Sequence, residues 1–360
     1  MALPPLPRED LEHVLEHTRG LWPDVRGRRI FLTGGTGFFG PWLVETFADA
    51  NDRLDLGAEL VVLTRDPAGT IGRLPHYADC RGVSLHTGDV RDFALPAGTF
   101  DVIVHGAAES SQQSHAGDHR HMFDTIVDGT RRTLGLAHAS RAGRYLLLSS
   151  GAVYGSQPSD VAHIAEDFRG GPDLSDARSA YAEGKRAAEV LAAMAADSTG
   201  LSVRVARCFA FVGPHLPLDI HFAIGNFIRD AMVGGPIQIA GDGRAVRSYL
   251  YMADLAIWLW TLALSPVASG AYNVGSEEAL SILDAARAVA AIRVPPARVN
   301  VQGKLDAGAR AHRYVPCVRR AAAQLGLRQT IDLATAVRRT WRWYEAHESS
   351  VDPVTNTRDA

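Results

Sequence analysis

Tyr181 and Lys185 stand four residues apart in the run Tyr181-Ala182-Glu183-Gly184-Lys185. The run continues into Arg186-Ala187-Ala188-Glu189-Val190-Leu191, an alanine-rich segment of high helix propensity. The two side chains therefore share one helix face about one turn apart. An ammonium group near a phenol stabilises the phenolate, which lets Tyr181 move protons near neutral pH. Some thirty residues earlier, the apolar segment Arg144 to Leu148 ends in Ser149-Ser150-Gly151-Ala152-Val153-Tyr154-Gly155. Ser150, at a strand end, is placed to hydrogen-bond the same reacting oxygen. Tyr-x-x-x-Lys alone also recurs by chance, as an interfacial tyrosine beside a solvated lysine. The chemical reading gains its weight from the motifs that precede it.

The first of these is Ile30-Phe31-Leu32-Thr33-Gly34-Gly35-Thr36-Gly37-Phe38-Phe39-Gly40. A short apolar strand breaks into three spaced glycines, and an apolar-periodic helix starts at Trp42. Glycines let the backbone turn sharply and approach a pyrophosphate, while the helix N-terminus offers free N–H groups and positive dipole. The spacing is G-x-x-G-x-x-G, which departs from the G-x-G-x-x-G dinucleotide fingerprint. From Arg29 onward strand and helix alternate, which predicts a parallel sheet wound by right-handed crossovers.

The second strand, Glu59 to Leu63, runs into Thr64-Arg65-Asp66-Pro67. An acid at this point binds an adenosine ribose, whereas an arginine accepts a 2′-phosphate. Thr64 replaces the acid. Arg65 reads two ways, as an NADP or adenine contact or as a solvated loop arginine, and Asp66 remains able to serve a ribose. Asp89, in Gly88-Asp89-Val90 after the next strand, suits the adenine amino group or a turn cap. The strand Phe100 to His105 ends in Gly106-Ala107-Ala108, small enough to leave room for ribose and nicotinamide. Glu109 and Ser110 would then face a substrate cleft at the carboxyl edge of the sheet.

Composition narrows the class. The 360 residues are 46% hydrophobic with a formal net charge of −3, which gives no indication of a nucleic-acid or anionic-membrane partner. Cys80, Cys208 and Cys317 are far apart and form no metal or redox spacing. His115, His119 and His121 cluster, but no carboxylate or cysteine completes a ligand set, so no metal is expected there. No apolar run reaches the length of a membrane span, and no signal-peptide layout opens the chain. A cytoplasmic protein is expected.

The combination of motifs resembles the extended short-chain dehydrogenase/reductases, in particular the nucleotide-sugar epimerase/dehydratase family. The resemblance rests on Thr33 through Gly40, Gly88-Asp89-Val90, His105 through Ala108, Ser149 through Gly155, and Tyr181 through Lys185. It continues in Arg207-Cys208-Phe209-Ala210-Phe211-Val212-Gly213-Pro214, Asn226-Phe227, Gly241-Asp242-Gly243, Arg247 and Tyr251-Met252-Ala253-Asp254. It implies a Rossmann-like, doubly wound α/β sheet with a smaller, discontinuous C-terminal substrate domain. The division expected is 1–28 as an N-terminal extension, 29–206 plus 245–272 as the dinucleotide-binding domain, 207–244 plus 273–348 as the substrate domain, and 349–360 as a tail. It also implies NAD as cofactor, with NADP admitted by Arg65, and a nucleoside-diphosphate sugar as substrate. A homodimer is expected, paired through the helices near 123–140 and 181–197.

By the same resemblance Tyr181 is the catalytic base, Lys185 holds the nicotinamide ribose, and Ser150 polarises the sugar hydroxyl or carbonyl. Gly34, Thr36, Gly37, Phe38, Phe39, Gly40, Thr64, Arg65, Asp89, Val90, Ala107 and Ala108 would form the cofactor wall. Glu109, Ser110, Gly151, Asn226 and Arg247 would meet the substrate, with Arg247 suited to a diphosphate because guanidinium binds phosphate oxygens bidentately. Members that catalyse 4,6-dehydration usually place Asp-Glu just after the Ser/Thr. Gly151-Ala152 stand here, and neither side chain moves a proton. That favours a nucleotide-sugar epimerase acting through transient oxidation, at C4, of a sugar hydroxyl. The alternatives are a dehydratase or decarboxylase using the same ketone (Glu109 sits in a dehydratase-like loop), an NADPH-dependent keto-sugar reductase, and, more remotely, a non-catalytic cofactor-binding protein. Ala210 and Ile126, where the family commonly has Asn, suggest an atypical substrate or pose.

Overall fold

The computed structural model describes residues 2–108, 118–220, 222–304 and 311–348. Helix α1 (Arg8–Thr18) buries Val14 and Leu15 and has Glu9 and Asp10 in its first turn, where acids suit the helix dipole. Strand β1 (Arg29–Thr33) leads into α2 (Gly40–Arg53), and β2 (Glu59–Thr64) into α3 (Pro67–Arg73). Strands β3 (Val83–Thr87) and β4 (Val102–His105) follow, then α4 (His119–Ala139), β5 (Arg144–Ser150), α5 (Ala180–Thr199) and β6 (Ser202–Cys208).

The second half is more broken. It runs β7 (Phe211–Val212), α6 (Ala223–Met232), β8 (Ile237–Ile239), β9 (Val246–Arg247) and β10 (Leu250–Tyr251). Helix α7 (Met252–Leu264) is buried along its whole length and leads to β11 (Gly270–Val274). A two-residue strand, β12 (Leu280–Ser281), comes next. Only then, with the Ser281 hydroxyl accepting from the Asp284 amide as N-cap, does α8 (Ile282–Ala290) start. Strands β13 (Val299–Val301) and β14 (Arg313–Tyr314) and helices α9 (Arg319–Leu325) and α10 (Leu333–Glu348) complete the described chain.

Seven strands form one sheet in the order β11-β6-β5-β4-β1-β2-β3. Every neighbouring pair is parallel. The inner strands are buried along nearly their whole length, as a sheet covered on both faces requires. Strand order reverses at β1, between β2 and β4, so a crevice opens there at the carboxyl ends of the strands. Three small sheets, β10-β7, β12-β9-β14 and β13-β8, lie outside the large one. They bring chain from around 211, 246, 280 and 313 together, and those segments form the wall opposite the sheet edge.

The candidate active site

The glycine turn is built by local geometry and then braced from outside. Gly34 has φ +81°, and a Cβ there would stand 2.6 Å from the Gly106 carbonyl carbon. Only glycine combines that backbone with that approach. The Gly37 amide donates to the Gly34 carbonyl at 3.1 Å and the Gly40 amide to the Gly37 carbonyl at 3.2 Å, which coils the turn into α2. The Tyr77 hydroxyl donates to the Gly35 carbonyl at 2.8 Å, and the Arg73 guanidinium donates to the Thr36 carbonyl. Phe39 packs its ring on Phe211 at 5.1 Å, and the Trp42 indole donates to the Pro214 carbonyl at 3.1 Å. These contacts fasten the turn to the second half of the chain. No side chain caps the start of α2, where the Gly40 amide is taken by the Gly37 carbonyl and Pro41 has no N–H, so the positive end of the helix dipole faces the turn without a side-chain acceptor.

Thr33 and His105 fix the neighbouring strand ends. Their side chains meet at 2.8 Å, and the other ring nitrogen of His105 lies 3.1 Å from the Thr130 hydroxyl. The Thr33 oxygen also accepts from the Gly106 and Ala107 amides. Burial pushes the His105 pKa down to about 3, so this histidine is a neutral strut rather than a proton carrier.

At the end of the cleft expected to meet adenosine, Thr64, Arg65, Asp89 and Val90 line the wall. The Thr64 hydroxyl pairs with that of Thr70 at 2.8 Å. Asp66 is the N-cap of α3, accepting from the Gly69 amide at 2.9 Å, and that contact uses an oxygen which the sequence left open for a ribose. The Arg91 guanidinium holds Asp89 below the usual carboxylate range, at 2.8 Å from one oxygen and 3.0 Å from the other.

Ser150, Tyr181 and Lys185 converge where β5 ends. Ser150 closes β5 in register with Cys208 of β6, and its oxygen accepts from the Ala152 amide at 3.1 Å. Lys185 is 4% exposed and donates to the Leu148 carbonyl at 2.7 Å. Burial pushes its pKa down to about 8. Its nitrogen is 6.0 Å from the centre of the Tyr181 ring. The expected lowering of the phenol by lysine is not what dominates here: burial pushes Tyr181 up, and the Ser150 hydroxyl draws it partly back.

Gly34, Thr36, Gly37, Phe38, Phe39, Ala107, Ala108, Ser150, Tyr181, Lys185 and Arg247 face one cleft of about 980 Å³ together with the adenosine-side residues. Gly40 sits behind the turn, where a Cβ would run into the Gly35 carbonyl. Gly151 lies beneath two rings, with a Cβ position 2.7 Å from both the Tyr314 hydroxyl and the edge of Phe209. Arg247 is pinned at the wall by the Val246 carbonyl at 2.9 Å and the His312 carbonyl at 3.3 Å. Asn226 does not reach the cleft; its carbonyl oxygen accepts from Arg229 at 3.3 Å, on the same helix. Glu109, Ser110 and His115 lie outside the described residues.

Phe209, from the run Arg207 to Pro214, also lines the cleft, as do Tyr314, Tyr249 and Arg73, which no motif announced. The signal that existed was indirect. Gly151 and Ala152 are small at a strand end, and something else must fill the volume above them.

The volume, the unobstructed turn and the buried ammonium fit a nicotinamide dinucleotide. The description "NAD dependent epimerase/dehydratase family" matches residues 30–275. UDP-glucuronic acid decarboxylase 1 of Arabidopsis thaliana is 31% identical over 306 residues, 85% of this chain and 67% of that protein. The dTDP-glucose 4,6-dehydratase of Streptomyces venezuelae, determined with NAD bound, superimposes with a TM-score of 0.73 at 27% identity, covering 91% of this chain and 100% of that one. A UDP-N-acetylglucosamine 4-epimerase from Methanobrevibacter ruminantium has a TM-score of 0.77 at 19% identity, over 89% of this chain and 99% of the other, a likeness of fold.

Proposed function

This chain belongs to the NAD-dependent epimerase/dehydratase family, and we propose that it is a nucleotide-sugar epimerase that oxidises a sugar hydroxyl at C4 to a transient ketone. The observation that carries this reading is the convergence of Ser150, Tyr181 and Lys185 on one cleft with the glycine turn. A nicotinamide dinucleotide, when bound, takes a hydride and later returns it. Tyr181 removes the hydroxyl proton and holds it until the ketone is reduced again. Ser150 donates to the oxygen as carbonyl character develops. Lys185 keeps a cation beside the ribose and the phenol, anchored by the Leu148 carbonyl. Arg247 meets the diphosphate from the opposite wall.

Gly151 and Ala152 support epimerisation over 4,6-dehydration, because removing water across a carbon–carbon bond needs an acid and a base on that side of the sugar. A second reading, decarboxylation of a nucleotide-linked hexuronate, is favoured by the similarity to the UDP-glucuronic acid decarboxylase of Arabidopsis. It needs the same ketone and no side-chain base for loss of CO₂. On the adenosine side, Thr64 and Arg65 with Asp66 committed to its cap support acceptance of NADP as well as NAD.

Mass spectrometry of the nucleotides that co-purify with the protein tests the cofactor. Proton NMR of the protein with UDP-glucose, UDP-N-acetylglucosamine and UDP-glucuronic acid tests the reaction. A C4 epimer formed without added cofactor is expected. Release of CO₂ from the uronate would replace the epimerase reading with the decarboxylase one, and no conversion of any of the three that Tyr181→Phe abolishes would remove both.

A further inference from the structure

We propose that Glu189 is a positioning residue of this site: from α5 it grips Ser149 and so sets where the next residue, Ser150, stands relative to Tyr181 and Lys185. Tyr181, Lys185 and Glu189 follow one another at intervals of four along α5, which puts all three on one stripe of the helix. That stripe meets the end of β5. Lys185 donates to the Leu148 carbonyl at 2.7 Å, and Glu189 accepts from the Ser149 hydroxyl at 2.6 Å. Two side chains one turn apart on the helix thus hold two consecutive residues of the strand. The strand needs holding there, because β4 pairs with β5 only as far as Leu147, whereas Ser149 and Ser150 are paired on the β6 side alone.

Glu189 keeps its oxygen in place because Arg207 holds the carboxylate. Arg207 stands opposite Ser149 in register on β6 and donates to both carboxylate oxygens, at 2.7 Å and 3.2 Å to one and at 3.1 Å to the other. The guanidinium donates in turn to the Tyr154 hydroxyl at 2.8 Å and to the Glu166 carbonyl at 3.0 Å. A planar fork on a carboxylate leaves little rotation to either group. The two side chains are only 16% and 15% exposed, so water and salt screen the pair little. Successive strand residues point to opposite faces, so Glu189 reaches Ser149 and not Ser150. It acts on Ser150 through the backbone they share, by stopping β5 from sliding along α5. A displacement of about 1 Å in a group that must meet a reacting atom costs up to about 10²-fold in rate.

The role in turnover rests on the transient-ketone reading above, but the grip itself is testable without any sugar. Glu189→Gln keeps the side-chain length and an oxygen for Ser149, and loses the charge that Arg207 faces. Glu189→Asp keeps the charge, which the long Arg207 side chain can follow, but is too short to reach Ser149. Ser149→Ala removes the grip and leaves the ion pair intact. In hydrogen exchange read by mass spectrometry, the peptide from Leu148 to Tyr154 should exchange roughly tenfold faster in Glu189→Asp and in Ser149→Ala, the size expected for one lost hydrogen bond, and close to the native rate in Glu189→Gln. Peptides from β1 serve as the internal reference. In a single turnover with the sugar nucleotide found to react, Glu189→Asp and Ser149→Ala should slow the appearance of reduced nicotinamide roughly tenfold with KM unchanged, and Glu189→Gln should stay near the native rate. Thermal stability should rank the other way, with Glu189→Gln below Glu189→Asp. Rates that follow stability instead overturn the proposal, because Glu189 would then serve only as the counter-charge of Arg207. Native exchange at Leu148 to Tyr154 in Ser149→Ala overturns it whatever the rates, and so does faster exchange with unchanged turnover. Ser149→Ala decides alone if the Glu189 variants do not fold. If no sugar nucleotide is turned over, the transient-ketone reading fails and the exchange still decides whether Glu189 holds the strand end.

Discussion

The two walls of the cleft are made in opposite ways. The wall proposed to hold the cofactor is one continuous stretch, Thr33 to Gly40, whose turn follows from its own glycines and whose braces, Tyr77 and Arg73, come from the next unit of the fold. The opposite wall is assembled from Phe209, Arg247 and Tyr314, which lie on separate segments: Tyr314 pairs in parallel with Arg247 and stacks its ring on Phe209. A wall written locally resists replacement of its glycines and little else. A wall assembled from distant pieces can change its chemistry by exchanging one side chain for another across space, as Tyr314 fills what Gly151 leaves empty.

The largest break in this comparison is at the groups both walls serve. Tyr181→Phe should lower product formation by about 10³-fold, within the range for loss of a general base, while the co-purified nicotinamide is retained. Nucleotide content by mass spectrometry and conversion by NMR measure the two. Retention of full activity would mean that Tyr181 is not the base.

The next concerns the joint between the walls. Asp10 of α1 is fully buried, accepting from the Tyr251 hydroxyl and the Arg339 guanidinium, each at 2.6 Å. It thereby ties α1 to the head of α7 and to α10. Burial raises its pKa from 3.8 to about 6, against the pull of both partners. The folded state therefore binds this proton more tightly than the unfolded chain. The contribution is fully present below the unfolded value of 3.8 and is lost as pH rises through 6. Thermal unfolding of Asp10→Asn should show a weaker dependence on pH across that window, by up to about 3 kcal/mol between its ends relative to the native chain. Parallel pH profiles for the two proteins would show that Asp10 does not titrate there.

On the locally written wall, Gly34→Ala places a side chain at φ +81° and against the Gly106 carbonyl carbon. A cost of about 2 kcal/mol in unfolding free energy is expected, with loss of bound nicotinamide. Denaturant unfolding and nucleotide analysis check both. On the assembled wall, Gly151→Asp should be destabilising because its Cβ meets Tyr314 and Phe209. The double variant Gly151→Asp/Tyr314→Ala should be about 1 kcal/mol more stable than the sum of the single effects, since the second change removes one of the two clashes and leaves room to turn from the other. Strict additivity in denaturant unfolding would show that the two positions do not share a volume.

The sheet, the turn and Tyr181 with Lys185 were legible because each rests on spacing within one segment. Period, glycine placement and a four-residue interval survive without knowledge of the rest of the chain. Asn226 shows what resemblance alone does not place, since on α6 its side-chain oxygen accepts from Arg229 and it is not among the residues that line the cleft. Asp66 shows the same for local polarity: an acid after a strand was equally a helix cap.

By itself the sequence determined a parallel α/β sheet with a dinucleotide turn and a Ser-Tyr-Lys set in chain order, because hydrogen-bond period and backbone freedom are properties of neighbouring residues. Tertiary structure decided the protonation environment of Tyr181, where burial raises the phenol and Ser150 draws it partly back. It also decided the presence of Tyr314 above Gly151. Both depend on which surfaces exclude water and which side chains meet across the cleft, and those are set only when segments far apart in the chain close on one another.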